Sequence, residues 1–436
     1  MISPLIGLKG NIEMTFSSRI SAIANTFTDE MGSVLCHLIA SNFILSFVLA
    51  VTGGAVVAAC GLLLKSSAFQ LKEAFISFSV AIISSSLAVI FIGVCMLIVV
   101  YLCVKYSIDP DNVAAPLAAA LGDFFVLLIM ILVVWTIESF FESPFPAYLG
   151  MSCCVVFAFG PALSYLRGSK SENCLAADYI TLIHCLVPLL TAVLLSSVSG
   201  WILASYVNLL PSLPRLQPPI NGVGGNLASI LISRMTTRLS IVSKPMITEN
   251  IVNQINAATP FSCFHSVGKE HSSPEGSVTR SDSDEDGTLE RSRPVGSLKA
   301  TEMAVTQAIS DSNTSTCGLL TLCLPLHSML LVINYIVSSL FHESSGSNAF
   351  SISVILAYLA AGFLQVFVLL LFARMLVLRR WLSLARHQQQ QVSANTRVSA
   401  GGLAALDLTG IAVTTGLGDF VGTAFLATFL RFAESS

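Results

Sequence analysis

The chain has 436 residues, of which 54% are hydrophobic and 11% charged, with a formal net charge of -3 and a mean hydropathy of +0.79. Soluble domains carry about 25% charged residues, so this composition excludes a soluble globular protein and marks an all-α polytopic protein of the lipid bilayer. The small net charge excludes a nucleic-acid binder and a polybasic membrane anchor.

Mostly apolar runs of roughly 20 residues are long enough to cross a bilayer as helices. About ten are predicted, near 4–26, 36–64, 75–105, 112–137, 147–166, 177–205, 218–240, 317–341, 349–378 and 406–430. The first and last are the most polar, and Gly53-Gly54 offers a bend in the second. Met1 leads straight into the first run without a basic n-region, so no cleavable signal is expected. Most of the eleven cysteines lie in apolar runs, their number is odd and no CxxC occurs, which argues against a disulfide framework or a zinc site.

Alternating the loops across the membrane puts most of the basic residues on one side, among them Arg19, Lys105, Arg167, Lys170, Arg234, Arg238, Arg374, Arg379 and Arg380. That side is predicted to be cytoplasmic, with both termini opposite it. The stretch 245–316 is rich in Ser, Thr and acidic residues and poor in aromatics, so it is expected to be a disordered cytoplasmic insertion. Ser281 and Ser283 within it suit a kinase. Its Asp282-x-Asp284-x-Asp286-Gly287 starts like a calcium loop, but position 12 is Arg293 where that loop needs Glu. The sequon at Asn313 is expected to stay unmodified on the cytoplasmic side. The polar stretch 383–404 is expected to be equally loose.

The sequence repeats itself. Pro4-x2-Gly7-x2-Gly10-Asn11-x6-Ser18-Arg19 returns with identical spacing as Pro219-x2-Gly222-x2-Gly225-Asn226-x6-Ser233-Arg234. Likewise Asp123 follows Asp111 by twelve residues, as Asp419 follows Asp407. Two homologous halves are therefore expected. The first repeat, 1–140, is expected to lack its first helix. A linker helix within 141–170 precedes the second repeat. That repeat is divided into 171–244 with its first two helices, the insertion 245–316, and 317–436 with its last three. Five spans per unit would invert tandem copies, and one linker helix restores parity, so the copies are predicted to be parallel about an axis along the membrane normal.

An ionisable residue inside a span costs about 2.5–3.5 kcal/mol on insertion scales and marks an ion path or a proton relay. Asp123 and Asp419 are the matched pair. Small residues recur beside them at intervals of four (Ala114, Ala118, Gly122; Gly410, Thr414, Gly418), which lets helices approach closely. Two facing carboxylates repel, and a divalent cation relieves the repulsion. Mg²⁺ sheds water reluctantly, so a hydrated ion is expected, with Asn or Thr side chains such as Asn11, Asn226 and Thr415 bonding its waters. The alternative is that each Asp is protonated or bonded to a neighbouring helix. Gly10 and Gly225 permit close packing beside the Asn residues, and Pro219 is expected in the first turn of its helix. Glu13 is placed either in an i, i+4 pair with Lys9 or at the ion. Asp109, Asp111 and Asn112 suit a helix N-terminus, with cation attraction at the mouth as a second role. His327 is read as packing. No catalytic residue is assigned, and no cofactor motif is present: the GVGG at Gly222 follows no strand.

The motifs PLIGLKGNIEMTFSSRIS, PPINGVGGNLASILISR, DPDNVAAPLAAALGD and the terminal GLGD resemble the MgtE-type magnesium transporter family, most closely its eukaryotic two-repeat branch, solute carrier family 41. Weaker echoes are Leu324-Pro-Leu-His327 and Leu359-Ala-Ala-Gly-Phe-Leu-Gln365. The resemblance implies Mg²⁺ or a related divalent cation as the transported ion, five helices per repeat, and an acid on each fifth helix, here Asp123 and Asp419, beside a central path flanked by Gly10, Asn11, Gly225 and Asn226. It also implies Na⁺ as a coupling ion if the vertebrate relatives are followed, a channel if the bacterial ones are, and residence in the plasma membrane. The second repeat departs from the family at Ala405-Leu406-Asp407-Leu408, where the pattern is Asp-Pro-Asp-Asn. Two other readings compete. One is a transport-inactive regulatory relative. The other is an intramembrane aspartyl protease, since Gly416-Leu-Gly-Asp419 matches a GxGD motif and Pro161-Ala-Leu163 a PAL motif. In that protease family PAL follows GxGD, the reverse of the order here.

Overall fold

The computed structural model describes residues 5, 7–8, 12–13, 16–17, 20, 32–64, 71–106, 108, 110–140, 145–168, 179–240, 247–257, 294–341, 351–393 and 401–435. Among these, several side chains lie outside the described set, including those of 32–38, 110–116, 118–120, Asp123, 161–168, 179–185, 294–298 and 401–409. All secondary structure among the described residues is helical. In a bilayer every backbone N–H and C=O must be satisfied within the chain, and an apolar helix does this by itself. The helices are α1 (Gly32–Leu63), α2 (Leu71–Lys105), α3 (Pro110–Phe140), α4 (Phe145–Gly168), α5 (Tyr179–Tyr206), α6 (Leu213–Ser240), α7 (Glu249–Ala257), α8 (Pro294–Phe341), α9 (Ile352–Ser393) and α10 (Gly401–Ser435). Residues 5 to 20, where described, are helical as well. Among the described residues six stretches are long and apolar enough to cross a membrane: Ile39–Leu63, Leu71–Lys105, Leu186–Tyr206, Thr301–Val337, Ile352–Arg386 and Gly410–Glu434; Phe124–Ser139 and Phe145–Gly160 are shorter apolar helices.

The helices pack in two groups, one from each half of the sequence. In the first, α2 packs on α1, α3 and α4. Its core joins Leu8, Ile12 and Phe16 of the N-terminal residues to Val48, Val89, Ile92 and Met96. In the second, α10 packs on α5, α6 and α9, and α8 packs on α6 and α9. The helix bearing the Gly-Asn motif meets its own aspartate-bearing helix in both halves: Gly122 lies against the Glu13 carboxylate, and Gly418 against the Gly225 backbone nitrogen. The halves join through α1 on α5 and α3 on α6. Outward faces carry large apolar side chains such as Phe91, Val94, Ile98 and Trp201, as lipid contact requires.

Small and hydroxyl side chains set the close approaches. Ser85 Oγ donates to Ala50 O at 2.9 Å, tying α2 to α1 beside Gly54. Pro218 and Pro219 lie inside α6, which begins at Leu213, so Pro219 stands past the first turn where the sequence placed it. A helical proline supplies no N–H to the carbonyl four residues earlier. For Pro219 that acceptor is Arg215 O, and Asn334 Nδ2 of α8 donates to it at 3.0 Å. The helix can therefore start earlier because a neighbouring helix replaces the missing donor. Loss of this bond in Asn334→Ala is expected to cost about 1 kcal/mol, measured as a lower thermal midpoint of the purified protein.

The insertion expected to be disordered over 245–316 is narrower than its composition suggested. Glu249–Ala257 forms α7, and α8 already begins at Pro294. Ile251, Ile255, Val305 and Ala308 are buried in the second-half core. They recur at helical intervals of three or four, which an average over a polar stretch conceals. Residues 258–293, with Ser281 and Ser283, lie outside the described set. The stretch 383–404 is likewise helical through Ser393 and again from Gly401, with Ala385 fully buried. Asn313 lies within α8.

Candidate ion site

The site begins with α10. Small residues on this helix let three neighbours approach: Gly410 lies on Ile232 of α6, Gly418 on Gly225 of α6 and Leu369 of α9, and Gly416 on the backbone of Ala192 in α5. Asp419 follows Gly418 and is partly buried. Its Oδ2 accepts a hydrogen bond from Ser196 Oγ of α5 at 2.5 Å. On its other side stands Gly7 of the first Gly-Asn motif, where an added Cβ would come within 2.5 Å of Asp419 Oδ2 and 2.7 Å of Ser196 Oγ. One carboxylate of the second half thus sits against the glycine motif of the first. The reciprocal pairing exists at helix level, since α3, which carries Asp123, packs on α6, which carries the second motif.

The other predicted residues fall around this seam. Asn226 is half-buried, and its carbonyl accepts from Ser229 Oγ at 2.9 Å. An added Cβ on Gly225 would touch the Thr415 methyl group at 3.3 Å. Thr415 Oγ1 donates back to Ile411 O at 2.9 Å and lies 3.1 Å from Ala412 O, which holds its methyl against α6. Glu13 is 3% exposed. It lines a small cavity with Phe16, Phe43, Ser46, Gly93 and Met96, and its contact with Gly122 places it one residue from Asp123 on α3. Gly10, Asn11, Lys9, Asp109 and the side chains of Asp123, Asp111 and Asn112 lie outside the described residues. α3 starts at Pro110. Among the described residues no group of three His, Cys, Asp or Glu side chains is placed to hold a metal ion.

His327 is fully buried between α8 and α9, with Nδ1 2.9 Å from Tyr358 Oη. Its ring packs on Gly362, as a packing residue would.

A polar layer beside Asp419 was not singled out from the sequence. Ser199 of α5, Gln217 of α6 and Thr423 of α10 are buried and hydrogen-bonded to one another: Ser199 Oγ to Thr423 Oγ1 at 2.7 Å, and Gln217 Nε2 to Thr423 Oγ1 at 3.1 Å and to Ser199 Oγ at 3.3 Å. Asn221 Nδ2 reaches Thr423 Oγ1 at 3.4 Å. Gln365 of α9, fully buried, donates to Gly418 O at 2.9 Å. Gln365 and Asn221 lie in stretches that carried the family resemblance. Ser196 and Ser199 carry no such signal, because serines are common in apolar helices.

Ser196→Ala removes the donor to Asp419. A hydrogen bond to a charged group contributes about 1.5–3 kcal/mol to stability, so a lower thermal midpoint of the purified protein is expected.

Residues 2–133 match the MgtE family, described as divalent cation transporters. Solute carrier family 41 member 3 of Rattus norvegicus is 28% identical over 434 residues, which cover 98% of this chain and 77% of that protein. Member 3 of Mus musculus is 29% identical, covering 98% of this chain and 73% of that protein. Member 2 of Mus musculus is 27% identical, covering 99% of this chain and 63% of that protein. No solved structure matches the chain. Motifs and matched length agree: the chain is similar to the MgtE-type divalent cation transporters over residues 2–133 and to solute carrier family 41 members 2 and 3 over nearly its whole length.

Proposed function

We propose that this chain moves Mg²⁺ across a membrane along the seam between its two halves, with Asp419 and Asp123 as the charged groups of the path. The observation that carries this reading is the Asp419 carboxylate held by Ser196 against Gly7 of the other half. A carboxylate inside a span is expensive unless it meets a counter-charge. Here it stands where two halves meet, so small relative movements of the halves open or close its surroundings. The hydroxyl of Ser196 orients one oxygen and leaves the other for the hydrated ion. Asp123 supplies the second charge through the sequence repeat, and Asn226 and its mate Asn11 bond the ion's waters. The connection between α6 and α8 is assigned to the cytoplasm by the distribution of basic residues, and the membrane is taken to be the plasma membrane.

The test is Mg²⁺ uptake into vesicles reconstituted with the full chain and loaded with a Mg²⁺ indicator. Saturable uptake above protein-free vesicles is expected, and its absence would sink the reading. A Na⁺ gradient imposed across the same vesicles decides the coupling. Acceleration that reverses with the gradient supports sodium-driven exchange, and an unchanged rate removes it.

A further inference from the structure

Arginine collects at one rim of the second half. α6 carries Arg234 and α9 carries Arg379, Arg380 and Arg386, all four exposed. Neither helix contains an acidic residue. Two contacts between α6 and α9 fix their relative height. An added Cβ on Gly224 would lie 2.5 Å from Gln365 Nε2 and 3.1 Å from Leu369 Cδ1. Past the end of α6, Ile247 N donates to Gln389 Oε1 at 3.1 Å. The two helices therefore run in the same direction. Arg234 lies ten residues past Gly224, and Arg379 ten past Leu369, so the two stand at one level. That level is the edge of the apolar layer: α9 has no charge before the buried Arg374, continues with Met375 to Leu378, and turns polar from Arg379 onward. α8 runs against α9, since its Cys323 and His327 meet Gly362 and Tyr358. Of the acids on α8, Asp311 thus stands level with Arg374, and Glu302 beyond the Arg379–Arg380 pair.

We propose that this rim binds the headgroups of anionic phospholipids in the adjoining leaflet. A bias of basic residues toward one side sets the orientation of the chain. Gathering them at one height on two adjacent, acid-free helices adds a charge density that orientation does not require. An arginine lays its apolar stem along the helix and carries its charge out to the headgroup layer. There the guanidinium offers a phosphate two parallel N–H donors. A zwitterionic headgroup also holds a phosphate, but its own cation offsets the attraction, so net charge is what the rim selects. The rim uses no residue of the ion path, so it stands or falls without Mg²⁺ transport.

The experiment titrates the detergent-purified full chain with dioctanoyl phosphatidylserine and follows the thermal midpoint. A saturable rise is expected. Dioctanoyl phosphatidylcholine has the same tails and no net charge, and inorganic phosphate has charge and no tails; neither should raise it. The rise should fade in about 0.5 M NaCl, where exposed charges are screened within a few Å. Each arginine near a lipid surface accounts for roughly fivefold in binding. Arg234→Gln, Arg379→Gln and Arg380→Gln together should therefore weaken it roughly 100-fold. Arg431→Gln is the control and should change nothing. It lies at the opposite rim, because α10 runs against α9 and Ser353 Oγ, at the start of α9, donates to Ala433 O. An equal response to phosphatidylcholine overturns the proposal, as does an unchanged response in the folded triple variant. A response to inorganic phosphate equal to that for phosphatidylserine would show an adventitious ion only and overturns it too. No response of the unaltered protein to phosphatidylserine overturns it whether or not the variants fold.

Discussion

Asp419→Asn is expected to lower Mg²⁺ flux at least roughly 30-fold while leaving the protein folded. Asparagine has nearly the shape of aspartate and keeps an oxygen for the Ser196 hydroxyl, whose bond is 2.5 Å in the native protein. Gly7 tolerates the exchange because no atom is added on its side. What disappears is the charge. Removing one partner of a desolvated charge interaction costs about 2–5 kcal/mol, which is about 30-fold at its lower end. Asp123→Asn should lower flux to a similar degree if the repeat places it at the same path. The measurement is initial Mg²⁺ uptake in reconstituted vesicles at equal protein, with size-exclusion profiles confirming that each variant is folded. Flux that is unchanged in both variants would refute the assignment of these carboxylates.

Gly416→Leu should be the most destabilising glycine replacement among the described residues, and even Gly416→Ala should be costly. An added Cβ would meet Ala192 Cα at 2.6 Å and Ala192 O at 2.9 Å. These are backbone atoms of a helix, so they cannot rotate aside as a side chain would. α5 would have to move away from α10, and Ser196, four residues along α5, would move with it. Overpacking of this kind costs about 1–3 kcal/mol, more for leucine. Gly318→Ala is the control, since nothing lies within 4 Å of its added Cβ. There the gain in helix propensity, up to about 1 kcal/mol, should leave the thermal midpoint equal or higher. A midpoint for Gly416→Ala no lower than that for Gly318→Ala would show that α5 and α10 do not pack this closely.

The residues singled out from the sequence are those that violate local expectation. Asp419 stands out because a carboxylate in an apolar run is costly, and the identical spacing of the two Gly-Asn motifs marks Gly225 and Asn226 as members of a repeat. The polar layer around Thr423 was hidden for the opposite reason. Ser199, Gln217 and Thr423 are ordinary residues in a helix, and their significance lies in meeting across three helices. The ends of the insertion were misjudged for a related reason. Ile251 and Val305 read as isolated apolar residues in a polar stretch until α7 and α8 bring them into one core.

By itself the sequence determined that the chain is a helical membrane protein, because apolar runs of spanning length leave the backbone no other way to satisfy its hydrogen bonds. It also determined the two-fold recurrence of the motifs, because spacing survives in the linear order. The tertiary structure alone decided which partners the aspartate meets. Ser196 precedes Asp419 by 223 residues, and Gly7 stands at the far end of the chain. Their meeting depends on how α5 and α10 nest at Gly416, a matter of contact between backbones that no local pattern encodes. The same holds for Asn334, whose amide serves a carbonyl that Pro219 leaves without a donor. The need is written in the proline, but the helix that meets it is chosen by packing.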